Sequence, residues 1–248
     1  MPKNESRLAK DGPADIAALV TAGYREPAEQ LEAPTAPGTG KRRGPYSKTK
    51  AIREEIIDAA LAVFGRSGYR AGSLREIAEI VGMTQPGLMH HFETKEALLT
   101  AVLTRRDEQD ATLLAGREPI GTGGLVALVD LTRRHTAHRG TVQLFTALSA
   151  EATVDDHPAH EYFHRRYAWF RTGLVRIYTL IGKEGALRPG VHPEHAAAGT
   201  LAMMDGLQIQ WLQDPDEVDM AATLEAYFRV LLTEEAWEAA VGAPDPPQ

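Results

Sequence analysis

The chain has 248 residues, of which 43% are hydrophobic and 25% are charged, and its net charge is −7, a composition typical of a globular protein with its own core. It contains no cysteine, which excludes disulfides, thiolate metal sites and cysteine nucleophiles. No apolar run reaches the roughly 18 residues of a membrane span, and the N-terminus lacks the apolar segment of a signal peptide, so we expect a cytoplasmic protein.

The charge is distributed unevenly along the chain. Residues 41–106 hold 12 basic and 7 acidic residues, whereas residues 107–248 hold 11 basic and 21 acidic residues. A basic segment before an acidic body is typical of a modular protein with one part that faces nucleic acid. Chance segregation of solvated charges is the alternative.

Residues 1–44 contain several prolines and glycines and little periodicity, which predicts a mostly disordered tail. The tail ends in Lys41-Arg42-Arg43, a basic arm that either lies along phosphates or only solubilises the terminus. From Ser47 onward, apolar residues recur at spacings of three and four, which predicts a helix that Gly65 and Gly68 close.

Two short helices and a longer one are predicted next. Ser73-Leu-Arg-Glu76 is a capping box that starts the first, and Gly82 supplies a turn because glycine adopts positive φ without a steric cost. Thr84 caps the second short helix. Thr94 begins a helix that runs to about Gly116.

The rest of the chain is also predicted to be helical. The segments are 120–138, 141–153, 158–183, 193–213 and 216–232, with a last short turn over 234–241. No stretch shows sustained period-two alternation, so the predicted fold class is all-α. The predicted domains are a helix-turn-helix DNA-binding domain at 45–97 and a helical ligand-binding and dimerisation domain at 98–241, followed by a disordered end at 242–248.

Two short helices joined by a glycine turn, after a longer apolar helix, indicate a helix-turn-helix unit whose second helix enters a DNA major groove. Such helix pairs also occur in proteins that never contact DNA. The residues are more specific: Phe64, Gly68-Tyr69, Ser73-Leu-Arg-Glu-Ile-Ala78, Val81-Gly-Met-Thr84, Leu88, His90-His-Phe92 and Thr94-Lys-Glu-Ala-Leu98. Over residues 48–99 this pattern resembles the tetracycline-repressor (TetR) family without a gap. The resemblance implies a three-helix DNA-binding head, an effector-binding body and a dimer.

Side-chain chemistry and this resemblance together suggest individual roles. Ser73 lies at a helix N-terminus that favours a phosphate oxygen, Gln85 suits bidentate contact with adenine, and Lys95 is similar to the family's phosphate-binding lysine. The predicted DNA-binding residues are Lys48, Ser73, Arg75, Thr84, Gln85, Gly87, His90, His91 and Lys95.

Two residues depart from the family pattern. Met89 stands where a tyrosine is most common, and Pro86 stands where a glycine is frequent. Because methionine lacks the hydroxyl, the phosphate contact falls to His90 or His91, each with a packed or solvated imidazole as its alternative.

The segment 158–183 carries aromatic residues on both sides, which indicates a buried central helix. In the family, the corresponding helices surround the effector cavity. The candidate effector-binding residues are Phe145, Arg166, Phe170 and Met204, and ordinary core packing is the alternative for each. An arginine among aromatic rings favours an anionic or aromatic effector.

The last two long helices resemble the family's dimerisation pair. Small and apolar residues recur on them at helical spacing, and the predicted interface residues are Gly199, Met203, Gly206, Trp211, Leu224 and Phe228. A two-fold dimer would present two recognition helices and predicts a near-palindromic operator. The alternative is that these helices pack only within one chain.

One metal hypothesis stays open. Glu161-Tyr-Phe-His164 has the Glu-x-x-His spacing of di-iron bundles, but a second copy of the motif is missing. His157, His160 and His164 could bind zinc on one helical face, although a polar helix start with solvated imidazoles is the alternative that we favour. We therefore expect no metal and no cofactor.

Together these patterns predict a homodimeric transcriptional repressor that a small molecule releases from double-stranded operator DNA, with no enzymatic activity and no membrane contact. The rivals are an all-α metalloenzyme built around Glu161 and His164, a DNA-binding protein whose body only binds other proteins, and an activator.

Overall fold

The computed structural model describes residues 45–114 and 121–242. These residues form ten helices: α1 (Pro45–Ala71), α2 (Leu74–Ile80), α3 (Gln85–His91), α4 (Lys95–Leu114), α5 (Thr122–His135), α6 (Arg139–Glu151), α7 (His160–Lys183), α8 (Pro193–Gln213), α9 (Met220–Leu231) and α10 (Glu234–Val241). Their only β-structure is one isolated bridge between Leu187 and Leu232, so the all-α prediction is confirmed. The predicted tail with Lys41-Arg42-Arg43, the helix end near Gly116 and residues 243–248 lie outside the described ranges.

The long helical part of α1 ends at Gly68, as the sequence predicted. Gly68 is non-helical, with φ of 76° and ψ of 162°, and a short second stretch reaches Ala71. Gly65 does not end the helix. Gly65 lies where α1 packs on α6, and a Cβ there would lie 2.8 Å from the backbone oxygen of Gly140. Gly65 therefore permits a close contact between two helices.

Two apolar clusters stabilise the fold. The first fills the space between α1, α2, α3 and α4 and continues into α6 and the first turns of α7. The second joins α5, most of α7 and helices α8–α10. Phe64 in the first cluster and Tyr178 and Trp237 in the second are fully buried, and each such side chain contributes about 2–3 kcal/mol.

Helix α6 connects the two halves of the molecule, because it packs on α1 at one side and on α8 at the other. The four N-terminal helices, called the head below, therefore share packing with the six later helices, called the body. None of the described helices is long and apolar enough to span a bilayer.

Candidate DNA-binding surface and ligand cavity

The helix-turn-helix is formed by α2, the turn around Gly82 and α3. Ser73 caps α2 by accepting a hydrogen bond from the Arg75 amide, and Thr84 caps α3 by accepting one from the Gly87 amide at 3.2 Å. Gly82 has φ of 70°, as the turn requires. The predicted caps Ser73 and Thr84 and the turn at Gly82 are present, but the capping box is not formed as predicted: Ser73 accepts from the Arg75 amide, and Glu76 pairs with Arg66.

Helix α3 has one buried and one exposed face. Leu88 is fully buried in the head, whereas Gln85, Met89 and His90 are exposed. Gly87 has no side chain, which leaves backbone open beside this face. Pro86 is exposed as well, so the exposed surface of α3 combines polar and apolar side chains, as contact with the edges of bases in a groove requires.

Two of the predicted DNA-binding residues are cationic groups on the helices before and after α3. Arg75 is 80% exposed and forms an ion pair with Glu79 on α2. The Lys95 ammonium donates to the Arg70 carbonyl at 3.1 Å and lies 4.6 Å from the centre of the Tyr69 ring. Burial lowers the pKa of Lys95 from its ordinary value. One of the three N–H donors of the Lys95 ammonium thus forms a hydrogen bond within the head.

The remaining predicted contacts are His90, His91 and Lys48. The two imidazole rings lie 5.9 Å apart; His90 is exposed and His91 is half-buried. Lys48 lies in α1, but its side chain lies outside the described residues. These DNA contacts stay predictions.

Arg53 on α1 is a residue that sequence reasoning missed. Its guanidinium donates to the His91 carbonyl at the end of α3 and stacks 4.1 Å from the centre of the Phe92 ring. It therefore fixes the C-terminal end of the candidate recognition helix. Arg53 lies 38 positions before His91 in the sequence. A basic residue at that separation gives no indication that the two residues are in contact.

A cavity of about 60 Å³ lies between α4 of the head and α5, α6, α7 and α8 of the body. All four candidate effector-binding residues line it. The wall consists of Arg106, Asp110, Leu131, His135, Phe145, Ser149, Phe163, Arg166, Tyr167, Phe170, Leu201, Met204, Asp205 and Gln208.

The wall contains a network of buried charges. Arg166 pairs with Asp107, which also accepts a hydrogen bond from Tyr162. Arg106 lies 3.6 Å from Asp110, and Asp110 contacts the His135 ring at 2.9 Å. Only 15% of the Arg166 side chain is exposed.

This network shifts the protonation of its members. Burial lowers the pKa of His135 below its ordinary value of 6.5, more than the hydrogen bond with Asp110 raises it. Burial alone would raise the pKa of Asp110, but His135 and Arg106 together bring it below its ordinary value. The pair is thus a neutral imidazole and a carboxylate.

Asp205 on α8 faces the cavity outside this network. It accepts a hydrogen bond from the Tyr167 hydroxyl at 2.7 Å. Burial raises the pKa of Asp205 from its ordinary value, despite that hydrogen bond and the charges of Arg166 and Arg106. The same burial, with the Asp205 contact, raises the pKa of Tyr167 to about 12. Asp205 could have been noticed in the sequence, because it is a carboxylate between Met204 and Gly206 in an otherwise apolar helix.

The histidines of the metal hypothesis do not converge on one point. The buried His157 accepts a hydrogen bond from the Ala159 amide, while His160 contacts the Ala152 carbonyl. His160 and His164 have stacked rings 6.2 Å apart. Within residues 45–114 and 121–242, no group of three histidine, aspartate or glutamate residues could hold a metal ion.

The predicted dimer interface needs correction. Trp211, Leu224 and Phe228 are buried in the core of their own chain, so they offer no surface to a partner. The hydrophobic effect buries an apolar stripe equally well within a chain and between chains.

The three other predicted interface residues differ in exposure. Gly199 accommodates Tyr227 of the same chain, whose hydroxyl would lie 2.3 Å from a Cβ. Met203 packs partly against the core. Gly206 alone of these three faces open space.

Comparison with known proteins gives matches to both halves of the chain. Residues 56–102 match the profile of bacterial regulatory proteins of the tetR family, and residues 125–233 match that of the C-terminal part of BetI-type transcriptional repressors. The chain is 32% identical to the HTH-type transcriptional regulator BetI of Rhizobium meliloti over 164 residues, which cover 64% of this chain and 76% of that protein.

Two further proteins are similar over more of the chain. The HTH-type transcriptional regulator TtgR of Pseudomonas putida is 26% identical over 188 residues, which cover 73% of this chain and 89% of TtgR. SmeT, the repressor of the Stenotrophomonas maltophilia multidrug efflux pump SmeDEF, has a similar fold, with a TM-score of 0.63 and 18% identity over 81% of this chain and 99% of SmeT.

Proposed function

Because this chain belongs to the TetR family of bacterial transcriptional regulators, we propose that it is a repressor that binds a near-palindromic operator as a homodimer and releases it when a small molecule fills the cavity. Binding to DNA through a helix-turn-helix is the property of the family. The sign of regulation and the effector-driven release are the proposed parts.

The main support for this proposal is the position of helix α4. Its first residue, Lys95, donates to the Arg70 carbonyl at the end of α1, and Arg106 and Asp110 in its middle lie in the cavity wall. A ligand that displaces this wall would therefore act directly on a helix of the head. Such a ligand shifts the populations of two head positions if it binds better to the protein with one of them.

Helices α8 and α9 have an exposed face that could form the dimer. On the side opposite the core they present Ile209 and Val230, which are 51% and 68% exposed. Exposed alanines recur at helical spacing on the same two helices, namely Ala198 and Ala202 on α8 and Ala222 and Ala226 on α9. Small side chains allow two helix pairs to approach closely, and a two-fold contact would bury the same face of each copy.

We propose that the protein acts by binding and catalyses no reaction. In the metalloenzyme alternative Glu161 would be a ligand, but it lies on the surface with 65% of its side chain exposed and pairs with Arg165. Since bacterial operators lie in the cytoplasm, we place its action there.

The test starts with selection of an operator from a random DNA library, followed by gel-shift titration at two salt concentrations. We expect specific binding that weakens with salt, because phosphate contacts release counterions. Gln85→Ala should cost about 1–3 kcal/mol of binding to the preferred sequence and reduce discrimination, whereas Lys95→Ala should weaken binding to all sequences and reduce the salt slope by about 1.

Lys183→Ala is the matched control for charge, because Lys183 is an exposed lysine at the end of α7 in the body. It should leave affinity and salt slope unchanged. Failure to select any DNA at low salt would contradict the proposal. A reporter gene that is expressed more strongly in the presence of the protein would identify an activator instead.

A further inference from the structure

The loop between α6 and α7, residues 152–159, is a second contact of the body with the head. Ala152 and Ala159 at its two ends are buried in the apolar cluster that fills the head. Between them lies His157, which is only 6% exposed. The His157 ring packs on the ring of Tyr69 in α1, with 6.0 Å between the centres and 71° between the planes. This loop therefore reaches the head without passing through the cavity or the candidate recognition helix.

The polar atoms of His157 are incompletely satisfied. Its Nδ1 accepts a hydrogen bond from the Ala159 amide at 3.2 Å, so the neutral ring carries its proton on Nε2. Nε2 lies 3.5 Å from Oε2 of Glu151 at the end of α6. Neither of these two buried atoms has a hydrogen-bond partner in the part of the chain that the structure describes. Because a buried donor without an acceptor reduces stability, packing alone would favour a hydrocarbon side chain at this position.

Tyr69 joins His157 to the first turn of α4. It follows Gly68, whose positive φ ends the long part of α1, and its side chain is buried. Its hydroxyl donates to the Glu96 carboxylate at 3.1 Å, and the Lys95 ammonium lies 4.6 Å from the centre of its ring. The ring thus contacts the body and two neighbouring residues of α4 at once.

Aromatic rings and one carbonyl set the position of the Lys95 ammonium. The Phe64 ring lies 5.8 Å from it and packs edge-on against Tyr69, with 5.5 Å between the ring centres. The Arg70 carbonyl accepts one of its hydrogen bonds at 3.1 Å. Since an ammonium group has three N–H donors, this bond leaves two for a phosphate oxygen. Aromatic faces attract cations, so a displacement of the Tyr69 ring also displaces the favoured position of the ammonium.

From these contacts we infer that Tyr69 and His157 are positioning residues for DNA binding: the α6–α7 loop holds the Tyr69 ring, and this ring holds the Lys95 ammonium at the site of a phosphate contact. The inference rests on the proposed function, because it takes Lys95 to bind phosphate. It deepens that function by naming two residues through which the body controls the strength of this contact. A shift of the loop alters DNA affinity although no residue of the loop touches DNA.

The position of Lys95 is measured first without DNA. The lysine amino groups are converted to dimethylamines with isotope-labelled methyl groups, which keeps their charge, and the Lys95 signal is identified by its loss in Lys95→Ala. We expect this signal upfield of that of the exposed Lys183, because aromatic rings shield nuclei above their faces. His157→Ala and Tyr69→Leu should both move it toward the Lys183 position. His157→Phe keeps a ring beside Tyr69 and should leave it near its wild-type position.

Gel-shift titration with the selected operator then measures the effect on DNA binding. We expect His157→Ala and Tyr69→Leu each to weaken binding by about threefold or more. The salt slope should decrease by up to about 1, the value for loss of one phosphate contact. In a Lys95→Ala background the same two substitutions should leave the affinity unchanged, because the ammonium that they displace is absent. A substitution that only loosens the fold would act equally in both backgrounds.

His164→Ala is the matched control, since His164 is an exposed histidine on α7, and it should change neither the Lys95 signal nor the affinity. Thermal unfolding verifies that each variant is folded. His157→Gln, which also lacks the ring, replaces His157→Ala if that variant does not fold. Additive losses with Lys95→Ala, or an unchanged Lys95 signal in a folded variant without the His157 ring, would overturn the inference. A wild-type protein that binds no DNA would instead contradict the proposed function itself.

Discussion

The buried pair of His135 and Asp110 shows how one residue responds to its surroundings. Desolvation disfavours the imidazolium form, and the nearby charges of Arg106 and Arg166 act in the same direction. Asp110 opposes them through its hydrogen bond and its charge, but burial prevails. The result is an imidazole that stays neutral in the folded protein at a pH where it is protonated in the unfolded chain.

This neutrality predicts a pH-dependent stability. The folded-state pKa of His135 lies below 6.5, so between these two values the unfolded chain binds one more proton than the folded chain. Stability therefore decreases as the pH falls below about 6.5, with a slope of at most about 1.4 kcal/mol per pH unit from this one group. We expect His135→Gln to reduce the loss of stability between pH 7 and pH 5, as measured by urea unfolding.

The control for this experiment is His195→Gln, because His195 is exposed on α8 and its replacement should leave the slope unchanged. If wild type and His135→Gln lose stability equally over this range, then the imidazole is not kept neutral by the fold.

The contact between helices α1 and α6 depends on the absence of a side chain at Gly65. A Cβ on Gly65 would lie 2.8 Å from the Gly140 oxygen, a distance at which backbone has to move. We expect Gly65→Ala to force the two helices apart and to reduce the free energy of unfolding by about 1–3 kcal/mol. Because α6 also packs on α8, the same variant should change how strongly effector and DNA affect each other's binding.

Gly140→Ala tests the other side of the same contact. An added Cβ at Gly140 meets nothing within 4 Å, and alanine favours the helix over glycine by up to about 1 kcal/mol. This variant should therefore be neutral or stabilising in chemical denaturation. Equal destabilisation by both substitutions would mean that loss of glycine, and not the close approach, is what matters.

Most elements could be predicted from the sequence, because periodicity and capping residues act locally. Helix α8 begins and ends where the pattern predicted, and Thr84 caps α3 as expected. Gly68 interrupts α1 as predicted, because glycine adopts the positive φ that the break requires. The short stretch that follows it to Ala71 was not predicted.

Long-range pairing could not be predicted. Arg106, Asp107 and Asp110 look like an ordinary solvated charge run, since their partners Arg166 and His135 lie 25 or more positions away. The apolar stripe with Leu224 and Phe228 has the same pattern whether it faces a core or a partner subunit. Phe170 and Met204 line the cavity, and so does Asp205, which the sequence analysis did not select.

In the proposed dimer, operator binding depends on the assembly of two chains. One head has a single seven-residue recognition helix, α3, whereas a two-fold dimer presents two of them to successive turns of the major groove. Binding by two linked heads gains affinity because the second contact is intramolecular. Loss of the dimer should therefore appear as loss of operator affinity, even though no residue of the head has changed.

Ile209→Glu tests this coupling, because Ile209 lies on the exposed face of α8 and is 51% exposed in the single chain. In a two-fold dimer, each copy would bury one unpaired carboxylate at this position, so the interface would contain two. We expect sedimentation analysis to show a monomer whose operator affinity is at least about 100-fold lower, with little change in helical content.

Val154→Glu introduces the same charge at a residue 54% exposed in the loop after α6, and should remain a dimer with wild-type affinity. A dimeric Ile209→Glu protein would move the interface away from α8 and α9, whereas a monomer that still binds the operator fully would show that one head suffices.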